Sequence, residues 1–98
     1  MRIVFMGTPE FAASCLRGVL EAGYDVAAVY TQPDRPKGRK GELCASPVKE
    51  YALSRGIPVY QPERIRRKAE VETLRNLQPD LILVAAYGQI LNLSLIHI

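Results

Sequence analysis

No part of the sequence narrows its fold as far as the run Asp80-Leu81-Ile82-Leu83-Val84-Ala85-Ala86, which after its first residue is apolar at every position and so offers no solvent face. A strand of that kind belongs inside a parallel sheet whose two faces are covered by helices, because a half-exposed strand alternates polar and apolar residues instead. Parallel strands need crossover segments between them, and the remaining sequence supplies these. Arg2-Ile3-Val4-Phe5-Met6 is a second apolar run, stopped by Gly7. Thr8-Pro9-Glu10 then predicts a helix start, with Thr8 as cap, proline at the first helical position and an acid in the first turn. Phe11, Cys15, Val19 and Ala22 recur with Leu16 and Leu20 on one face of that helix, opposite Glu10, Ser14, Arg17 and Glu21, and Gly23 ends it. A valine- and alanine-rich strand from Asp25 to Thr31 completes a βαβ unit.

Further along, Ser46-Pro47 restarts a helix by cap and first-turn proline, Gly56 closes it, and Pro58-Val59-Tyr60 reads as a short strand. Ile65, Ala69, Leu74 and Leu77 form a weaker helical stripe beneath Arg64, Arg66, Arg67 and Lys68, a cluster that reads as a solvated helix start. Gln78-Pro79 terminates that stripe before the last strand, which the pattern assigns to the centre of a sheet. The fold class expected is α/β, a Rossmann-like open parallel sheet with strand order 3-2-1-4. In that order a ligand crevice opens at the carboxyl ends of strands 1 and 4, where Gly7-Thr8-Pro9 faces Ala86-Tyr87-Gly88-Gln89.

Composition removes several functional classes. At 48% hydrophobic and 23% charged the chain is neither disordered nor low in complexity, and its 98 residues allow one core. Cys15 and Cys44 cannot build a disulfide framework and form no C-x-x-C pair. No apolar run reaches membrane-spanning length, and Ile3 to Met6 is too short for a signal-peptide core, so a soluble cytoplasmic protein without membrane partners is expected. Gly7-Thr8-Pro9-Glu10-Phe11-Ala12 holds one glycine, and Glu10 sits where a pyrophosphate would lie, which speaks against nicotinamide and flavin cofactors. His97 has no Cys, Asp or Glu at ligand spacing, and no metal site is expected.

From Gln32 to Ala45 no periodicity survives, and Pro33, Pro36, Gly38 and Gly41 punctuate a connection longer than a βα turn needs. Charge concentrates from Arg35 to Lys49: Arg35, Lys37, Arg39, Lys40 and Lys49 stand against Glu42, so residues 35–49 carry +4 of a total of +3 and the rest of the chain is −1. Such a loop is either a contact surface for a polyanion or a solvated connection, and charge by itself leaves both open.

Six stretches together carry a resemblance. Met1 to Ala12, Thr31-Gln32-Pro33-Asp34-Arg35-Pro36-Lys37-Gly38-Arg39, Ser46-Pro47-Val48-Lys49, Gly56-Ile57-Pro58-Val59, Gln61-Pro62 and Ala86-Tyr87-Gly88-Gln89-Ile90-Leu91 resemble, in order and spacing, the amino-terminal part of the bacterial methionyl-tRNA formyltransferase family. The likeness covers residues 1–91 and implies a partial formyltransferase domain. It implies transfer of a formyl group from 10-formyltetrahydrofolate to the methionine amine of initiator methionyl-tRNA, in translation initiation. It also implies that the basic loop meets the tRNA acceptor arm through Arg39, with Lys37 and Lys40 beside it, and that Tyr87, Gly88, Gln89, Ile90 and Leu91 help form the folate pocket. The loop departs from the family at Gly38-Arg39-Lys40-Gly41-Glu42, where Gly-Arg-Gly and paired lysines are usual, and at Cys44-Ala45, where a proline commonly precedes the serine.

The family's asparagine, histidine and aspartate fall beyond Ile98, so no catalytic residue is assigned and residues 1–98 alone are expected to be inactive. After Leu91 the likeness fails: Asn92-Leu93-Ser94-Leu95-Ile96-His97-Ile98 reads as a non-matching tail, expected to be read-through at a sequence end. Two other readings remain at this point, another formyltransferase that uses 10-formyltetrahydrofolate, and a non-enzymatic RNA-binding remnant.

Overall fold

The structure is a computed structural model and describes residues 2–37 and 42–88. Its elements are β1 (Arg2–Gly7), α1 (Glu10–Glu21), β2 (Asp25–Tyr30), β3 (Arg35–Lys37), β4 (Glu42–Cys44), α2 (Pro47–Ser54), β5 (Val59–Tyr60), α3 (Lys68–Asn76) and β6 (Leu81–Ala85). Four strands form one sheet in the order β5-β2-β1-β6, with every pairing parallel. This is the order expected from the sequence, with β6 as the fourth long-range strand.

The central strand β1 explains why an apolar run needs no alternation. Ile3 and Phe5 pack on one face of the sheet with Ala12 and Leu16 of α1 and Val48 and Ala52 of α2. Val4 and Met6 pack on the other with Tyr30, Ile65, Tyr87, and Val71 and Leu74 of α3. Successive side chains of a strand point to opposite faces, so a strand between two helical layers is apolar throughout. Burying a side chain of this size contributes about 1.5–3 kcal/mol, and Ile3, Val4, Phe5 and Met6 are all at most 1% exposed.

Several local expectations need correction. Thr8 does not cap α1: the cap position is Pro9, without a side-chain hydrogen bond, because the Thr8 hydroxyl is used elsewhere. The buried face of α1 is Ala12, Ala13 and Leu16, while Phe11 is 68% exposed. In α3 the buried residues are Val71 and Leu74, Ala69 is exposed, and Ile65 is buried ahead of the helix. Strand β6, last in the expected order, lies at an edge of the sheet among the described residues, and it is the exposure of its Leu81 and Val84 that departs from a strand covered on both faces. The stretch expected to lack all regularity contains an antiparallel hairpin, β3 on β4, with Arg35 opposite Cys44, Pro36 opposite Leu43 and Lys37 opposite Glu42. Three-residue strands are too short to leave a period in the sequence, and proline is tolerated on an edge strand where its missing N–H is not needed. The second helix starts as expected, with the Ser46 hydroxyl accepting from the Lys49 N–H at 3.1 Å.

Candidate functional site

At the carboxyl ends of the strands one hydroxyl ties three of them together. Thr8, just past β1, donates from Oγ1 to the Tyr87 carbonyl beyond β6 at 2.8 Å, and accepts the Gln32 N–H beyond β2 at 3.3 Å. The Thr8 carbonyl in turn accepts the N–H of Val48 in α2 at 3.4 Å. A hydroxyl both donates and accepts, so threonine can bridge where alanine or valine could not. The expected juxtaposition of Gly7-Thr8-Pro9 with Ala86-Tyr87-Gly88 is therefore present, down to a direct hydrogen bond.

Two glycines make this approach possible. A Cβ on Gly7 would lie 2.6 Å from the Ala12 Cβ and 2.7 Å from the Ala85 carbonyl oxygen. Gly88 has φ +96°, and a Cβ there would stand 2.7 Å from Gln32 Nε2. The first lets α1 and β6 close on β1, and the second turns the chain over the Gln32 side chain.

Of the five folate-pocket candidates, Tyr87 and Gly88 lie in this turn, while Gln89, Ile90 and Leu91 fall outside the described residues. The Tyr87 ring is 1% exposed and belongs to the core under α3, so what the described part of the turn contributes to the strand ends is backbone. Its hydroxyl and that of Tyr30 are buried without a hydrogen-bond partner among the described residues. Burial, reinforced by the negative charge of Glu70, pushes both phenols well above their ordinary range, so both stay neutral. The Tyr30 ring also stacks on Tyr60, with centroids 5.0 Å apart.

Of the three candidates for tRNA contact, Lys37 ends β3, and Arg39 and Lys40 lie outside the described residues, as do the Asn92–Ile98 tail and His97 within it. Lys49, counted above with the basic segment, is already paired: its Nζ donates to both carboxylate oxygens of Asp34, at 3.1 and 3.0 Å. The local cation surplus therefore rests on Arg35, Lys37, Arg39 and Lys40. Gln61 donates to the same carboxylate at 2.7 Å, and that bond, together with Lys49, holds the Asp34 carboxyl below its ordinary pKa. Sequence reasoning missed Thr8 as a bridge and Asp34, Lys49 and Gln61 as a group, since their partners are 15 to 79 residues away and no local pattern encodes such pairs. Among the described residues no three His, Cys, Asp or Glu side chains gather as a metal site requires, and no helix is long and apolar enough to cross a membrane.

Comparison with known proteins adds a family. The profile described as "Formyl transferase" matches residues 1–98. The chain is 57% identical over 98 residues to the methionyl-tRNA formyltransferase of Symbiobacterium thermophilum, covering all of this chain and 30% of that protein. It is 60% identical over 90 residues to the Bacillus subtilis protein of the same name, covering 92% of this chain and 28% of that one. The chain thus spans about 30% of the length of the curated relatives it matches. In fold it is similar to a phosphoribosylglycinamide formyltransferase from Bacillus halodurans, with TM-score 0.69 at 18% identity, over 99% of this chain and 50% of that one.

Proposed function

The chain belongs to the formyl transferase family, and from that premise we propose that it is the amino-terminal part of an enzyme that formylates initiator methionyl-tRNA. The observation that carries the substrate is the 57% identity, over the whole chain, to a protein named for that activity. The formyl donor in this reading is 10-formyltetrahydrofolate. The methionine amine attacks the formyl carbon, a proton leaves the amine as the new carbon–nitrogen bond forms, and the folate nitrogen is protonated as its bond to the formyl group breaks.

The described residues would serve this reaction by building its scaffold. Thr8, Gln32 and Tyr87 lock the strand ends that form the crevice floor, and residues 87–91 would supply one wall for the folate. The basic segment after β2 would meet the acceptor arm with Lys37, Arg39 and Lys40, because cations close together in sequence suit a phosphate backbone. The group that takes the amine proton and the donors that hold the oxyanion would come from the remainder of the enzyme. A glycinamide ribonucleotide formyltransferase is the closest competing reading, since the fold is shared, but a substrate of that size gives the basic hairpin no role.

The test is an assay of the full-length protein carrying these residues, with 10-formyltetrahydrofolate and charged initiator tRNA. Formyl-methionyl-tRNA is the expected product, and residues 1–98 alone are expected to give none. Formylation of a small amine with methionyl-tRNA left untouched would overturn the proposal.

A further inference from the structure

Both legs of the β3–β4 hairpin are tied down close to where they leave the sheet. Asp34 directly precedes β3, and its carboxylate receives both hydrogen bonds from Lys49 Nζ in the first turn of α2. Gln61, just past β5, donates to the same carboxylate at 2.7 Å and to the Gln32 carbonyl at 3.3 Å. On the other leg the Ser46 hydroxyl lies 2.6 Å from the hydroxyl of the fully buried Thr31. One carboxylate thus joins the end of β2, the start of α2 and the end of β5.

A ribbon of two three-residue strands is too small to hold its own direction. Its direction must come from its root, and charge-assisted hydrogen bonds supply both strength and geometry there. With side chains 21% and 29% exposed, Lys49 and Asp34 contribute more through that geometry than through overall stability.

We propose that Asp34, Lys49 and Gln61 are positioning residues that fix the angle at which β3 and β4 leave the sheet and so set how the basic segment of residues 35–40 meets the nucleic acid. This rests on the reading of the hairpin as the contact for initiator tRNA. A simple electrostatic surface makes the opposite prediction for one variant. Asp34→Asn keeps the shape of the side chain and removes a negative charge, so charge alone would tighten binding of a polyanion. Loss of the clamp would loosen it.

The experiment measures initiator-tRNA binding and formyl-transfer kinetics in the full-length protein at one near-physiological salt concentration, alongside hydrogen exchange at the hairpin amides. For Asp34→Asn the expected result is a dissociation constant and a KM for tRNA raised roughly three- to tenfold, with kcat at saturating tRNA unchanged and faster exchange in β3 and β4. The paired reversal Asp34→Lys with Lys49→Asp keeps the net charge and should recover part of both effects. Equal or tighter tRNA binding by Asp34→Asn overturns the proposal, whether or not hairpin exchange changes. If the parent protein binds no tRNA, the tRNA reading itself falls, and unchanged hairpin exchange in Asp34→Asn would then remove the clamp as well.

Discussion

Replacing Gly7 by alanine puts a methyl group where three neighbours already stand. The new Cβ would lie 2.6 Å from the Ala12 Cβ, 2.7 Å from the Ala85 oxygen and 2.9 Å from the Phe5 Cε1. Carbon contacts are optimal at about 3.5–4.0 Å, so each of these must lengthen by more than about half an ångström. Phe5 could turn its ring slightly, but Ala12 has no side-chain freedom and Ala85 is opposed by backbone. Gly7 pairs with Ala85 in the β1–β6 register, so relief requires moving either β6 or the first turn of α1 away from β1. Overpacking of a rigid site costs about 1–3 kcal/mol, and two immovable obstacles place Gly7→Ala at the upper end. Gly18 supplies the control: it is exposed, inside α1, and its Cβ would meet no heavy atom within 4 Å. Gly18→Ala should therefore stabilise by about 1 kcal/mol through helix propensity. Urea unfolding of the two variants against the parent decides the matter. A Gly7→Ala value within about 0.5 kcal/mol of the parent would show that the turn has slack and would refute the close-packing argument.

Three further outcomes follow from the same contacts. Thr8→Val should cost about 1–2 kcal/mol in denaturant unfolding, with Thr8→Ser restoring most of it, because the Tyr87 carbonyl and the Gln32 N–H both lose the bridging hydroxyl. Tyr30→Phe should leave stability unchanged or raise it by up to about 1 kcal/mol, since the hydroxyl removed is buried and has no partner among the described residues; a loss larger than that would reveal a bonded hydroxyl. The Asp34 carboxyl has a folded-state pKa below its ordinary 3.8, so its contribution to the hairpin root is complete above that value and is lost as pH falls through the lowered one. Protection of the hairpin amides relative to intrinsic exchange, measured down a pH series, should therefore fall in acid in the parent, and should not show that step in Asp34→Asn.

The strand order was legible because Ile3 to Met6 and Leu81 to Ala85 are apolar without alternation, the pattern of parallel strands, and Ile3 to Met6 is covered on both faces. The meeting of Thr8 with Tyr87 was legible as a neighbourhood, since it follows from topology alone. Its chemistry was not, because Thr8 looks like a helix cap until a carbonyl 79 residues away competes for the same hydroxyl. Phe11 misled for a related reason: a helical stripe reads as buried only if its whole width meets the sheet, and α1 turns a narrower face of Ala12, Ala13 and Leu16 inward. Lys49 looked like one more cation of a basic loop. Its pairing with Asp34 depends on how far α2 folds back over the end of β2, which no spacing within the loop encodes.

Arg39 offers the sharpest test of the basic segment after β2 as the proposed tRNA contact. A guanidinium forks across a phosphate or stacks on an unpaired base in ways an ammonium cannot, so the contact should be sensitive to shape as well as charge. The measurement is formyl-transfer kinetics of the full-length parent, Arg39→Ala and Arg39→Lys, varying tRNA at low and near-physiological salt. Arg39→Ala should lower kcat/KM for tRNA by the equivalent of about 1–3 kcal/mol, Arg39→Lys should recover only part, and the KM for 10-formyltetrahydrofolate should stay the same. Identical tRNA kinetics for Arg39→Ala and the parent at both salt concentrations would make the basic segment a solvated connection and contradict the role proposed for it in recognising tRNA.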